Sequence, residues 1–167
     1  VREAATRTLA RSAGEPELNA LLALLEAERT VVRHAAARAL VGLGAERAWV
    51  VHGADGLDEL STTGYTKVSE ARDGTVRTFY VHPAEFGLAK ASIDALRGGD
   101  AAENAAIIRR VMGGERGAPR DAVLLNAGAA LFVAGHAADV RAGIAAATAA
   151  IDEGRAADVL DRFARVS

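Results

Sequence analysis

The segment from His52 to Gly64 reads H-G-A-D-G-L-D-E-L-S-T-T-G and follows a short apolar run, Arg47 to Val51 (R-A-W-V-V). The apolar run predicts a buried strand that leads into a loop. The preceding helix, predicted from Val31 to Leu43, ends at Gly44, because a residue without Cβ readily adopts the left-handed conformation found at helix ends. A helix followed by a buried strand begins an α/β layer, so this stretch decides the fold class.

Two further strands and a series of helices are predicted after this loop. The runs Thr66 to Glu70 and Thr75 to Val81 flank Arg72-Asp73-Gly74, and Asp-Gly between two alternating runs indicates a β-hairpin. After His82-Pro83 the chain is expected to be almost wholly helical. The helix signals are a D-A-A-E capping box at Asp100 and Glu103, Pro119 at a helix start, Gly135 at a helix end, Asp139 at a start, and a last helix from Arg155 to Val166. The predicted fold is α/β, mostly helical, with a partial sheet.

The composition excludes several classes of protein. Of the 167 residues, 50% are hydrophobic and the formal net charge is −2, which a disordered chain or a general nucleic-acid binder does not show. The absence of Cys excludes disulfides and thiolate catalysis. No apolar stretch approaches the roughly 20 residues that span a bilayer, and no signal segment opens the chain. We therefore expect a cytoplasmic protein that binds neither nucleic acid nor membranes.

The first 43 residues contain a repeat with a period of 31, which aligns Val1 with Val32, Arg2 with Arg33 and Leu9 with Leu40. The pattern V-R-x-A-A-x-R-x-L resembles the short HEAT-like repeats of phycobilisome-lyase-type proteins. We therefore predict two domains, a HEAT-like segment of antiparallel helices over residues 1–43 and an α/β portion over residues 44–167. HEAT-like helices would offer a surface to a protein partner. The alternative is a pair of Ala-rich amphipathic helices whose similarity is partly compositional.

The loop after the first strand carries three carboxylates, Asp55, Asp58 and Glu59, separated by Gly53 and Gly56. Adjacent carboxylates on a regular strand point to opposite faces, whereas a loop relaxed by glycine can turn both toward one ion. Proteins usually hold Mg²⁺ with one or two carboxylates together with water and substrate phosphate. An isolated acidic pair is more often a solvated surface feature, so the motif needs further support.

That support is a resemblance to a known family. The string H-G-A-D-G-L-D-E-L-S-T-T-G closely resembles the corresponding stretch of anthranilate phosphoribosyltransferase, an enzyme of tryptophan biosynthesis. Three more motifs follow in the family's order: P-A-E-F-G-L (Pro83 to Leu88), G-G-D-A-A-E-N-A (Gly98 to Ala105) and R-D-A-V-L-L-N-A-G-A-A-L-F-V-A-G (Arg120 to Gly135). The resemblance covers about Gly44 to Phe163 and implies the C-terminal part of the family's phosphoribosyltransferase α/β domain.

The resemblance implies transfer of a phosphoribosyl group from phosphoribosyl diphosphate to the amine of anthranilate, with Mg²⁺ as cofactor. Carried over residue by residue, the D-E pair of the motif makes Asp58 and Glu59 the expected metal ligands. They would hold Mg²⁺ against the diphosphate as negative charge builds on the leaving group. No catalytic residue is assigned, and His52, Asn104 and Asn126 receive no functional role.

Several parts of the family's site are absent from this sequence. Its G-T-G-G-D diphosphate loop, its K-H-G-N segment and its Asn-Pro-Ala region do not occur. Because backbone N–H groups form a phosphate cradle, we expect the chain alone not to complete the reaction. The alternative function is a non-catalytic HEAT-like scaffold, and a pyrimidine nucleoside phosphorylase fits the motif less well. An exposed edge of the partial sheet would also favour assembly into a homo-oligomer.

Overall fold

The computed structural model describes residues 29–42 and 44–166, and it contains five α-helices and three strands in these ranges. The elements are α1 (Arg29–Gly42), β1 (Arg47–Gly53), β2 (Thr66–Arg72), β3 (Thr75–Val81), short 3₁₀ helices at Pro83–Phe86 and Ile93–Leu96, α2 (Ala101–Met112), α3 (Ala118–Val133), α4 (Val140–Asp152) and α5 (Arg155–Val166). None of these helices is long and apolar enough to cross a membrane. The first HEAT-like copy lies outside the described residues, so the predicted two-domain division stays a prediction.

The three strands form an antiparallel sheet in the order β1-β2-β3. Arg72 pairs with Thr75, which leaves Asp73 and Gly74 as a two-residue turn. Both turn residues have positive φ, 50° and 73°, as the turn type that matches the strand twist requires. The hairpin predicted from Asp-Gly is therefore confirmed, and the tight turn fixes the register of β2 against β3.

Helices cover both faces of this sheet. On one face, Ala48 of β1 and Ala71 of β2 are buried against Ala37 of α1, with Val76 of β3 packed beside them. These small side chains allow α1 to lie close to the strands. Strand β1 extends two residues beyond the predicted run to Gly53 and is mostly half-buried rather than buried. It is half-buried because β2 is its only strand neighbour among the described residues.

Aromatic side chains connect the other face of the sheet to α3. The Trp49 ring makes edge-to-face contacts with Phe79 of β3 and Phe132 of α3, at centroid distances of 5.6 and 5.5 Å. Arg47 adds a hydrogen bond of 2.7 Å from its guanidinium to the Phe132 carbonyl and stacks over that ring at 4.4 Å. Strand β1 is thereby fixed to the C-terminal end of α3.

A buried carboxylate lies at the centre of the same face. Glu70 is 1% exposed and stands in register between Trp49 and Arg77. It accepts hydrogen bonds from the indole N–H at 2.9 Å and from Arg77 Nε at 2.6 Å. Burial alone would raise the pKa of Glu70, but these hydrogen bonds and the charges of Arg77 and Arg47 outweigh it and lower that pKa.

The helix ends follow the sequence signals closely. Asp100 and Glu103 form the predicted capping box at the start of α2, which begins at Ala101. Gly44 and Gly135 take positive φ just after α1 and α3, as predicted for helix stops. The expectation of nearly continuous helix after His82-Pro83 is wrong for residues 87–100, where the described chain is irregular apart from one short 3₁₀ helix. Here Gly87, Gly98 and Gly99 interrupt the helical pattern.

Helices α3 and α4 touch through their backbones. A Cβ on Gly143 would collide with the Gly128 carbonyl oxygen and lie 2.9 Å from the Gly128 Cα. A Cβ on Gly128 would lie 2.7 Å from the backbone nitrogen of Ile144. The two glycines are therefore required for space, and around them Leu124, Leu125 and other apolar side chains form the main core.

We expect Gly128→Ala to destabilise the protein by about 1–3 kcal/mol, because the added methyl overpacks the contact with Ile144. In an unobstructed helix the same substitution stabilises by about 1 kcal/mol, so the sign of the effect is diagnostic. Urea denaturation measures it, with exposed Ala145→Ser as the control that changes stability by less than about 0.5 kcal/mol. A stabilised Gly128→Ala variant would contradict the backbone contact.

The lowered pKa of Glu70 predicts a dependence of stability on pH. The stabilisation that the ionised carboxylate provides is fully present above about pH 4.3, the ordinary glutamate pKa, and is lost as the pH falls through the lower folded-state value. We expect Glu70→Gln to be less stable than the wild type at neutral pH and to show a shallower loss of stability below about pH 4.3. Thermal melting as a function of pH tests this. Glu115→Gln, at an exposed ion pair with Arg110, should leave the profile unchanged.

Candidate functional site

The loop between β1 and β2 begins with a tight turn. The Gly53 N–H donates to the Leu57 carbonyl at 2.9 Å, and the Ala54 N–H donates to the Tyr65 carbonyl at 2.8 Å. Gly56 has a φ of +92°, a conformation that side chains with a Cβ rarely adopt. The chain therefore folds back on itself directly after β1, which brings Leu57 and Tyr65 next to Gly53 and Ala54.

The turn is organised around the carboxylate of Asp55. It accepts hydrogen bonds from the hydroxyls of Ser61 and Thr63 and, at 3.1 Å, from the backbone N–H of Leu57. Burial opposes ionisation of Asp55, but the hydrogen bonds outweigh that effect and lower its pKa. A Cβ at position 53 would collide with this carboxylate and lie 3.2 Å from Ser61 Cβ. Gly53 therefore provides space, whereas Gly56 provides the left-handed turn.

Asp58 and Glu59, the predicted metal ligands, lie side by side on the exposed part of this loop. Partial burial raises the pKa of Glu59, and the negative charges of Asp58 and Asp55 raise it further. Three carboxylates thus interact electrostatically within one short segment. Among the described residues, no group of three or more His, Asp or Glu side chains is arranged to hold a metal ion by itself.

The residues after the pair attach the loop to the core. Leu60 is 2% exposed, and its backbone N–H donates to Asn126 Oδ1 at 2.9 Å while its carbonyl accepts from Asn126 Nδ2 at 2.9 Å. Ser61 N–H donates to the buried Thr66 hydroxyl at 2.8 Å. The loop is therefore fixed to α3 at one residue and to the start of β2 at the next.

No function was predicted for Asn126 from the sequence, although it is the one amide side chain in an otherwise largely apolar helix. A single amide among apolar residues could have indicated such a role, because a polar side chain on a packed helix usually has a hydrogen-bond partner. His52 and Asn104 also received none. His52 lies near the end of β1, and Asn104 exchanges two hydrogen bonds of 3.0 Å with the backbone of Gly99.

A cleft of about 480 Å³ opens beside the carboxylates. Glu59 and Arg97 both line it, so the cleft carries one acidic and one basic side chain. Its remaining lining is mostly apolar and comes from the loop, the second 3₁₀ helix and the start of α3: Leu57, Ile93, Leu96, Pro119 and Ala122. A ligand at Glu59 would thus meet a polar and an apolar surface together.

Residues 17–157 match the model of the glycosyl transferase family, a/b domain. The anthranilate phosphoribosyltransferase of Azorhizobium caulinodans is 51% identical over 131 residues, which cover 78% of this chain and 38% of that protein. The enzyme of the same name from Rubrobacter xylanophilus is 51% identical over 132 residues, covering 78% and 39%. The chain thus spans less than two-fifths of the length of these relatives, and the predicted resemblance is confirmed.

Solved structures show the same relationship. The crystal structure of anthranilate phosphoribosyltransferase from Thermus thermophilus superposes with a TM-score of 0.68 at 41% identity, covering 75% of this chain and 36% of that one. The Saccharomyces cerevisiae enzyme in complex with PRPP and Mg superposes with a TM-score of 0.62 at 27% identity, covering 69% and 33%. The predicted fold class, α/β and mostly helical, is confirmed by these neighbours and by the elements described above.

We expect Asp55→Ala to destabilise the protein by about 1–3 kcal/mol, because the substitution removes the acceptor for the buried Ser61 hydroxyl and for two other donors. Thermal and urea denaturation measure the change. Asp94→Ala is the matched control, since Asp94 pairs with Arg97 at the surface and should contribute less than about 1 kcal/mol. Equal effects of the two substitutions would show that Asp55 does not organise the turn.

Proposed function

The chain belongs to the glycosyl transferase family, and on that premise we propose that it supplies the Mg²⁺-binding part of an anthranilate phosphoribosyltransferase site. The substrates would be phosphoribosyl diphosphate and anthranilate. The observation that carries this proposal is the identity of 51% over 131 residues with an enzyme of that name. The solved yeast enzyme with PRPP and Mg adds a neighbour of the same fold that binds both the substrate and the ion.

The donors at Asp58 and Glu59 fit Mg²⁺ chemically. Carboxylate oxygens are the hard ligands that this ion prefers, and two of them leave coordination positions for water and phosphate oxygens. The described residues add no third carboxylate or His to the pair in a ready-made cluster. That is the donor number expected for an ion held jointly by protein and substrate rather than in an all-protein cage.

The three carboxylates of the loop have different roles in this proposal. Asp58 and Glu59 present negative charge to the solvent side, where a metal–diphosphate complex can approach. Asp55 holds the turn through its hydroxyl donors and is not a ligand. When bound, Mg²⁺ supplies positive charge against the diphosphate leaving group as the bond to ribose breaks.

The rest of the reaction needs groups that this sequence does not contain. The G-T-G-G-D motif, whose backbone N–H groups would cradle the diphosphate, does not occur in the 167 residues. We therefore propose that the chain binds the metal ion but does not form phosphoribosyl-anthranilate alone.

The metal proposal predicts that the chain binds Mn²⁺, a spectroscopic substitute for Mg²⁺, in the presence of inorganic diphosphate. Electron paramagnetic resonance of free Mn²⁺ measures the binding. We expect the double variant Asp58→Asn with Glu59→Gln to lose it, because amide oxygens carry no net charge. The variant should stay folded, since both side chains are exposed.

The matched control removes two other exposed carboxylates, Asp158→Asn with Asp161→Asn on α5, and so changes the net charge equally. It should bind Mn²⁺ as the wild type does. Equal loss in both double variants would assign the binding to overall charge, and no binding by the wild type would exclude the proposed metal site.

A further inference from the structure

One side chain satisfies both backbone groups of the residue that follows the carboxylate pair. Asn126 accepts from the Leu60 N–H and donates to the Leu60 carbonyl, each at 2.9 Å. This is the pattern of one hydrogen-bonded pair in a β-ladder, supplied here by a helix side chain 66 residues away. Because the Leu60 side chain is 2% exposed, the residue is held by both its backbone and its packing.

Asn126 is itself fixed in place. Its Nδ2 also donates to the carbonyl of Ala122 one turn earlier in α3, at 3.0 Å. Two residues later, Gly128 sets the contact of α3 with α4. The amide is therefore held within α3, close to the backbone contact with α4, and it limits the freedom of the Leu60 backbone.

We propose that Asn126 is the positioning residue for the Asp58–Glu59 pair, and this inference rests on the proposed metal-binding function. Leu60 adjoins Glu59 directly, so the two hydrogen bonds fix the chain immediately after the ligands. The turn around Asp55 fixes it immediately before them. Asn126 thus sets the direction in which the two carboxylates leave the core, and it makes no contact with the ion.

If Asn126 only stabilised the fold, a different result would be expected. It would contribute to the free energy of unfolding and leave the metal affinity of the folded chain unchanged. Loss of a positioning residue instead weakens the metal affinity of a chain that is still folded, because outer-shell partners orient the ligands.

The test compares Asn126→Ala with Asn104→Ala in the full chain. Asn104 is a matched control, because it also exchanges two hydrogen bonds with the backbone of one residue, Gly99. We expect Asn126→Ala to weaken Mn²⁺ binding in the presence of inorganic diphosphate by about tenfold or more. Asn104→Ala should keep the wild-type affinity. Folding of each variant is checked by its cooperative thermal transition.

A second measurement needs no metal. Amide hydrogen exchange at Leu60, followed by NMR, should accelerate in Asn126→Ala and stay unchanged in Asn104→Ala. If Asn126→Ala does not fold, Asn126→Leu replaces it, since leucine has the same branched side-chain skeleton and removes both hydrogen bonds to Leu60. The same loss of affinity is expected there.

The outcomes separate this inference from the proposed function. A folded Asn126 variant that binds Mn²⁺ as tightly as the wild type overturns the positioning role and leaves the metal site intact. Failure of the wild type to bind Mn²⁺ overturns the metal site, and the positioning role with it. Equal weakening in the Asn126 and Asn104 variants also overturns the positioning role.

Discussion

The contact between the backbones of Gly128 and Gly143 is the constraint on which the rest of the structure depends. It sets the distance between α3 and α4, because no side chain separates the two helices there. The sheet and the carboxylate loop both attach to α3. The sheet reaches it through Trp49 and the Arg47–Phe132 interaction, and the carboxylate loop reaches it through Asn126. A small shift of α3 would therefore move the sheet and the loop together.

The carboxylates of the chain divide according to what surrounds them. Glu70 accepts two hydrogen bonds and Asp55 accepts three, and these hydrogen bonds lower the pKa of each carboxylate and give it a structural role. Glu59 has the opposite environment, in which burial and two neighbouring negative charges disfavour ionisation. A group with that environment gains most from a nearby cation. The contrast supports the proposal that Glu59, rather than Asp55, is a metal ligand, although the two lie within five residues.

Features encoded by neighbouring residues were predictable from the sequence, and features that join distant segments were not. The capping box at Asp100, the helix stop at Gly135 and the Asp73-Gly74 turn each depend on a few adjacent residues. The family motif predicted Asp58 and Glu59 in the same local way. The hydrogen bonds between Asn126 and Leu60 depend on how α3 packs against the carboxylate loop. Neither periodicity nor motif spacing in the sequence predicts that packing. Helix was predicted for residues 87–100 from their composition, but the glycines in this segment disfavour helix and the segment is irregular.

The attachment of Leu60 to α3 has a consequence for the order in which the protein folds. The β2–β3 hairpin closes through a two-residue turn, and such local contacts form within microseconds. The Leu60–Asn126 contact joins residues 66 positions apart, so it carries a larger loop-closure entropy and needs α3 to be formed and docked first. By this argument the carboxylate loop reaches its native geometry later than the β2–β3 hairpin. A ribosome must release most of α3 before residues 58 and 59, which were synthesised much earlier, can take up their final orientation.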